Sequence, residues 1–299
     1  MSKVKILCTS TGSIAFAPER YRALDIETIQ IHMTFEGKEY LEGEMDPVWF
    51  YSRLAEMEDP KNNLPKSALP SPAEIAAHFE RAIAEGYDTV LAFIISTGLG
   101  GTFNAVSMVA KDYEDRLRIH VIDTKVAAFS EGLHAIRAAQ MLKEGKTVDE
   151  ILAETAWAIR HQEFLGMDAR LDYLIYNGRL KGAKAFMGQM FKICPLLHFD
   201  ENGEIVAIES IRTPKKTLHR LCEVMKERIG DRDPADYILY RVYTGPTYLA
   251  VLKEIEPKFG ICANHEDVMM SPVSGCHNGP WLAGYGLYRI RREDEAIDG

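Results

Sequence analysis

Short apolar runs, broken by small polar residues and glycine, organise the first half of the chain. Val4–Cys8, Val90–Ile95 and Leu117–Ile122 each read as a buried strand. Ile29, Ile31, Met33 and Phe35 alternate with mostly polar neighbours, the period of a strand with one buried face. Glu36-Gly37 then predicts a hairpin turn into Lys38–Tyr40. Helical signals fill the gaps. Asp46-Pro47 supplies a cap and an N-terminal proline. Ser71-Pro-Ala-Glu74 and Thr147-Val-Asp-Glu150 are capping boxes. The first opens a helix that carries Ile75, Phe79 and Ile83 on one face and stops at Gly86. The second opens a helix to His161. Another helical stretch covers Glu131–Glu144, and residues 58–70 read as a polar loop. Strands alternating with helices at this spacing predict an α/β fold with a parallel sheet.

The second half has a different texture. Arg170–Tyr176 reads as a short helix closed by Asn177-Gly178. Residues 183–194, rich in Ala, Met and Phe, read as a soft apolar helix ended by Pro195. Leu196–Phe199 and Ile205–Ile211 form a hairpin around Asp200–Gly203. Thr213-Pro214 opens a helix to Ile229. Tyr237–Tyr243 is a strand, Thr247–Ile255 a helix, Ile261–Asn264 a strand, and a last strand runs near Trp281–Ile290. Residues 274–280 read as a turn of small residues, and the charged tail Arg291–Gly299 as loose. A boundary between two domains falls near 155–168.

Bulk properties narrow the classes. The 299 residues, 46% hydrophobic and 26% charged, suit a globular protein. A net charge of −9 argues against general nucleic-acid binding. No apolar run approaches about 18 residues, so no membrane span is expected. The N-terminus lacks a signal-peptide pattern, and five scattered cysteines without a CxxC pair fit a cytoplasmic protein with no zinc site.

Three strand ends carry Ser or Thr, at 9–13, 96–102 and 123–124. In a parallel sheet such ends share one edge, where ligands bind. The Ser96–Gly101 turn, followed by a helix with Thr102 as its N-cap, offers unpaired N–H groups and a favourable dipole to an anion. It holds no Lys and fits neither GxxxxGK[ST] nor GxGxxG, so an anion of low charge is expected rather than a nucleotide. His277, between Gly275 and Gly279-Pro280, suits either a hydrogen bond to a carboxylate or a structural bond to a loop carbonyl. Cys276 is its chain neighbour, a poor arrangement for a nucleophile and its base. Ser67 alone is a loop serine. Phe186, Met187, Met190 and Phe191 suit a core helix or a pocket for a flexible chain. Arg179, Lys181 and Lys184 form one basic group, and Arg212, Lys215 and Lys216 another; each is a solvated surface or a docking face.

Several of these segments, in order, resemble the DegV family of bacterial fatty-acid-binding proteins over nearly the whole chain. They are Ile6–Gly12, Phe35-Glu-Gly-Lys-Glu-Tyr40 with the helix after it, Pro65-Lys-Ser-Ala-Leu-Pro-Ser-Pro72, Ile95-Ser-Thr-Gly-Leu-Gly-Gly-Thr-Phe103, Arg170–Leu180 and Cys276-His-Asn-Gly-Pro280. The resemblance implies two domains: a parallel-sheet N-terminal domain, 1–160, with most of the head-group site, and a mixed-sheet C-terminal domain, 161–299, with the acyl pocket. One long-chain fatty acid would lie between them. By resemblance, hydroxyls of Ser67 and of Ser96 or Thr97 hold the carboxylate, with His277 assisting. Thr11 and Gly98 join the same site, and Met187 and Met190 line the acyl slot. Family members present the fatty acid to a separate ATP-binding fatty-acid kinase, which makes the acyl phosphate; Arg179 and Arg212 match the docking positions. The chain departs from the family in its first turn, where Cys8-Thr-Ser-Thr11 lacks the usual Asp, and at Ser67-Ala68-Leu69, Gly100, Asn177 and Asn278. The expectation is a cytoplasmic, non-enzymatic carrier with no cofactor and no metal. The alternative is a small-molecule enzyme using His277 in the same cleft.

Overall fold

The computed structural model describes residues 3–188, 192–261, 266–292 and 294–296. A four-stranded parallel sheet runs in the order Glu27–Ile29, Val4–Thr9, Thr89–Ile94, Arg118–Asp123. Because all four strands are parallel, the three hydroxyl-bearing turns at 9–13, 96–102 and 123–124 share one edge. The alternating stretch 29–35 is split. Its start joins this sheet, and His32–Phe35 instead pairs with Lys38–Leu41 and Lys66–Ala68 in a small antiparallel sheet. Glu36 and Gly37 both take positive φ, 49° and 76°, as the tight hairpin requires.

The second sheet has six strands, in the order Ile205–Glu209, Leu196–Phe199, Glu163–Asp168, Leu282–Arg289, Tyr237–Tyr243, Glu266–Met269. Its neighbours are antiparallel except the last two, which run parallel. The sheet is therefore mixed. Helix starts follow the sequence closely. Asp46 caps Pro47–Ala55, and both capping boxes form, at Ser71 and Thr147. Among the described residues no helix is long and apolar enough to cross a membrane.

Several expectations change. Gly101, not Thr102, is the N-cap of the helix Thr102–Ala110, and no side chain caps it. The loop 58–70 contains the strand Lys66–Ala68, and the turn near His277 is the helix Pro272–Asn278. The apolar stretch after Gly182 makes one 3-10 turn, Ala183–Ala185, rather than a helix. Gly182 there takes φ +70° and breaks the run. Its residues 189–191, including Met190 and Phe191, lie outside the described residues, as does most of the expected strand 261–264. The tail is tied down as far as 295: Arg291 bonds Glu154, Arg292 pairs with Asp236 at 2.8 Å, and Glu295 pairs with Arg232.

The two sheets meet through apolar and polar contacts. Phe129 packs edge-on against Tyr240 with ring centres 5.0 Å apart. Tyr51 donates to the Met270 carbonyl at 2.9 Å. The fully buried Glu42 accepts from the Ser10 hydroxyl and from the Val273 N–H at 2.9 Å, which anchors the start of the His277 helix. Burial pushes the Glu42 carboxyl from 4.5 up to about 7, against the pull of its hydrogen bonds.

The folded protein thus holds a proton on Glu42 at pH values where the unfolded chain does not. Its contribution to stability is fully present below pH 4.5 and declines as pH rises through 7. Over that window the shift is worth about 3 kcal/mol. Glu42→Gln cannot titrate. Urea unfolding at pH 5 and pH 8 should show the stability difference moving toward the variant by up to that amount. An unchanged difference would reject the assignment.

Candidate functional site

A cavity of about 260 Å³ lies between the two sheets. Its walls are mainly apolar. Ile31, Leu69 and Leu99 come from the parallel-sheet half; Phe164, Phe199 and Leu282 come from the mixed sheet. Alternation places one face of each strand toward it. Polar groups border it as well. Ser67 stands on the strand Lys66–Ala68, opposite Met33 in register. Its Oγ lies 3.3 Å from His277 Nε2, so strand pairing and helix formation bring together residues 210 positions apart. Ser274, one helical turn before His277, also borders the cavity, and its buried Oγ has no partner among the described residues. Gly100, Gly101 and Thr102 add the N-terminus of a nine-residue helix.

The chemistry of this end is polar but nearly uncharged. Burial first, then the positive charge of Arg179, lowers His277 from 6.5 to about 4. The imidazole is neutral near pH 7, and its buried Nδ1 has no partner among the described residues. Ser67 and neutral His277 carry two polar protons between them. One is used in their mutual bond, and one remains to donate, whichever tautomer forms. Arg179 borders the cavity, half-buried. Its Nη1 donates to the Asn177 carbonyl at 2.9 Å, and no acidic side chain pairs with it among the described residues. No group of three or more His, Cys, Asp or Glu there could hold a metal ion.

Thr11, in the turn at the end of the first strand, lines the cavity. Ser96, Thr97 and Gly98 do not. Ser96 Oγ is fully buried, donates to the Gly203 carbonyl at 2.8 Å and accepts from the Gly98 N–H at 3.0 Å. Thr97 donates to Asp123 at 2.6 Å. A Cβ on Gly98 would lie 2.6 Å from the Gly203 oxygen, so glycine here permits two backbones to meet, not a ligand to approach. Met187 is 60% exposed and away from the cavity. Arg212 is exposed.

Residues 3–289 match the sequence profile of a family described as "Uncharacterised protein, DegV family". The chain belongs to the DegV family. A DegV domain-containing protein of Listeria innocua is 31% identical, over 92% of this chain and 95% of the relative. A fatty acid binding DegV family protein from Streptococcus agalactiae has a similar structure, with TM-score 0.87 and 27% identity over 97% of this chain and 100% of that one. A stearic acid-binding protein from Eubacterium ventriosum aligns at TM-score 0.82 and 25% identity, over 97% and 98% of the chains.

In this DegV chain the first turn does receive a carboxyl group, although Thr9 stands where the family commonly has Asp. It comes from Glu131, on the helix Ala128–Lys143, which bonds both Thr9 and Thr11. Neither Glu131 nor Ser274 stood out in the sequence. A Ser-Pro start at 271–272 was the available signal for the helix that carries Ser274 and His277.

Ser96→Ala removes a buried bond between the turn and the hairpin tip and leaves the Gly203 carbonyl without its side-chain donor. It should cost about 1–3 kcal/mol of folding stability. Denaturant unfolding measures this, and an unaltered midpoint would refute the bracing role.

Proposed function

We propose that this protein binds a long-chain fatty acid in the cavity between its sheets. The observation that carries the reading is a mostly apolar cavity bordered by Ser67, Ser274 and a neutral His277, whose buried Ser274 Oγ and His277 Nδ1 have no partner among the described residues. A carboxylate there accepts from the Ser67–His277 pair, from Ser274 and from the helix N-terminus, with Arg179 adding charge. The names of the Streptococcus and Eubacterium relatives support the same ligand class. The apolar walls take the tail. This assigns the head group to Ser67, His277 and Ser274 rather than to Ser96 and Thr97.

Purified protein, extracted and run on lipid mass spectrometry, should yield an acyl chain. Absence of any co-purified or displaceable fatty acid would defeat the carrier reading. A hydrogen bond to a charged group contributes roughly 1.5–3 kcal/mol, so Ser67→Ala should weaken fatty-acid binding roughly ten- to hundredfold. Equal affinity would move the head group elsewhere.

We infer further that the bound carboxylate is presented to a fatty-acid kinase for acyl-phosphate formation, with 1–160 and 161–299 as the two domains around it. The exposed Arg212 suits docking. Arg179 borders the cavity, so substitution there would disturb binding and docking together. Arg212→Glu should abolish acyl-phosphate formation with ATP and a fatty-acid kinase while the retained lipid stays the same. Unimpaired phosphorylation would remove Arg212 from the interface. The enzyme alternative gains nothing from the geometry. A serine–histidine nucleophile pair needs a third group to orient the imidazole, and Nδ1 has none among the described residues.

A further inference from the structure

Glu131 is fully buried, and fatty-acid binding as described does not use it. One carboxyl oxygen meets Thr9 Oγ1 at very short range, and the other lies 2.7 Å from Thr11 Oγ1. Thr9 and Thr11 are themselves 2.9 Å apart, oxygen to oxygen. The three groups form a triangle with a hydrogen bond along each edge, and three edges require three protons. Two hydroxyls supply only two. We propose that Glu131 is a positioning residue held in its protonated form, closing this ring and fixing Thr11 on the cavity wall as a hydrogen-bond acceptor only.

The proton count gives the same answer in either direction around the ring. Each oxygen pair shares one proton, and the Thr11 proton is always spent inside. Thr9 is then complete, since its second lone pair faces the Ile95 N–H at 3.4 Å. Thr11 keeps one lone pair for the cavity. With Glu131 ionised, one edge would have two oxygens in contact and no proton between them. The surroundings point the same way. Burial pushes the Glu131 carboxyl well above its ordinary range, and the nearby Glu42 carboxyl adds to this. Cys8, with Sγ 3.7 Å from Glu131, and the two hydroxyls pull in the opposite direction. No cation pairs with Glu131 among the described residues.

The contrast with the other polar groups gives the cavity a direction. With His277 protonated at Nε2, that N–H is given to Ser67 and the Ser67 hydroxyl proton is left to donate; the Thr11 ring has none. The carboxylate therefore belongs at Ser67 and His277, and the part of the ligand against Thr11 is apolar or itself a donor. This placement rests on the fatty-acid reading. The protonation state does not.

Two measurements on the full chain test it. Infrared difference spectra between the native protein and Glu131→Gln at pH 7 should show a protonated carboxylic-acid carbonyl band lost in the variant. Loss of a carboxylate band instead would overturn the proposal. Glutamine also preserves the ring, its amide N–H standing in for the carboxyl O–H. Leucine cannot close it, so folded Glu131→Leu should bind fatty acid at least about threefold more weakly than folded Glu131→Gln. Equal binding by the two variants would overturn the positioning role. If native protein and variant alike bind no lipid, the carrier reading fails, and the infrared band still decides the state of Glu131.

Discussion

The bond from Ser96 Oγ to the Gly203 carbonyl sets the distance between the two sheets. It joins the edge of the parallel sheet to the tip of the hairpin Leu196–Phe199 and Ile205–Glu209. The approach is so close that both backbones need glycine, at 98 and at 203, where φ is +72° and a Cβ would overlap Ser96 Oγ. Phe199 and Ile205 flank that hairpin tip and line the cavity. A gap fixed at its rim by backbone contact leaves room below for apolar walls that do not collapse on each other. Glu42, holding the Val273 N–H from the opposite side, anchors the helix with the polar end.

Ionisation is suppressed in the interior of the seam. His277 is held neutral by burial, Glu42 is raised to about 7, and Glu131 is raised well above the usual carboxyl range. Each departs from its solution behaviour for the same reason: desolvation disfavours the ionised form more than the available hydrogen bonds favour it. A buried charge without a counter-ion is costly, so each group is shifted toward its neutral form. Arg179 stands at the border, half-buried, where water still reaches its charge.

Much of the frame was legible in the sequence because its signals are local. Capping boxes, the Asp46-Pro47 start and the buried strands need only neighbours within one helical turn or one pleat. The proposed head-group site was legible in part. Ser67 and His277 were named through family resemblance, and the structure brings them to 3.3 Å. Their elements were misread: Ser67 becomes a strand residue only by pairing with Met33, a long-range event, and the glycines around His277 suggested a turn where Ser271-Pro272 starts a helix. Ser96 and Thr97 have the right chemistry for an anion, but nothing local reveals that Gly203 and Asp123 already occupy them. The apolar run after Gly182 has helical composition, yet a left-handed glycine precedes it and Gly188 interrupts it, and glycine within a helix costs roughly 1 kcal/mol.

For a fatty acid in such a cavity, affinity and orientation come from different atoms. Each buried methylene contributes about 0.8 kcal/mol, so the tail dominates the total even after ordering and association costs are subtracted. The tail is nearly symmetric in its demands and would fit an apolar slot in either direction. Direction must come from the few polar groups, and those differ in kind: a pair with a proton to give at Ser67 and His277, and a closed ring without one at Thr11. A carboxylate can only accept hydrogen bonds. The carboxylate is therefore satisfied at Ser67 and His277, where Arg179 adds its charge, and not at Thr11.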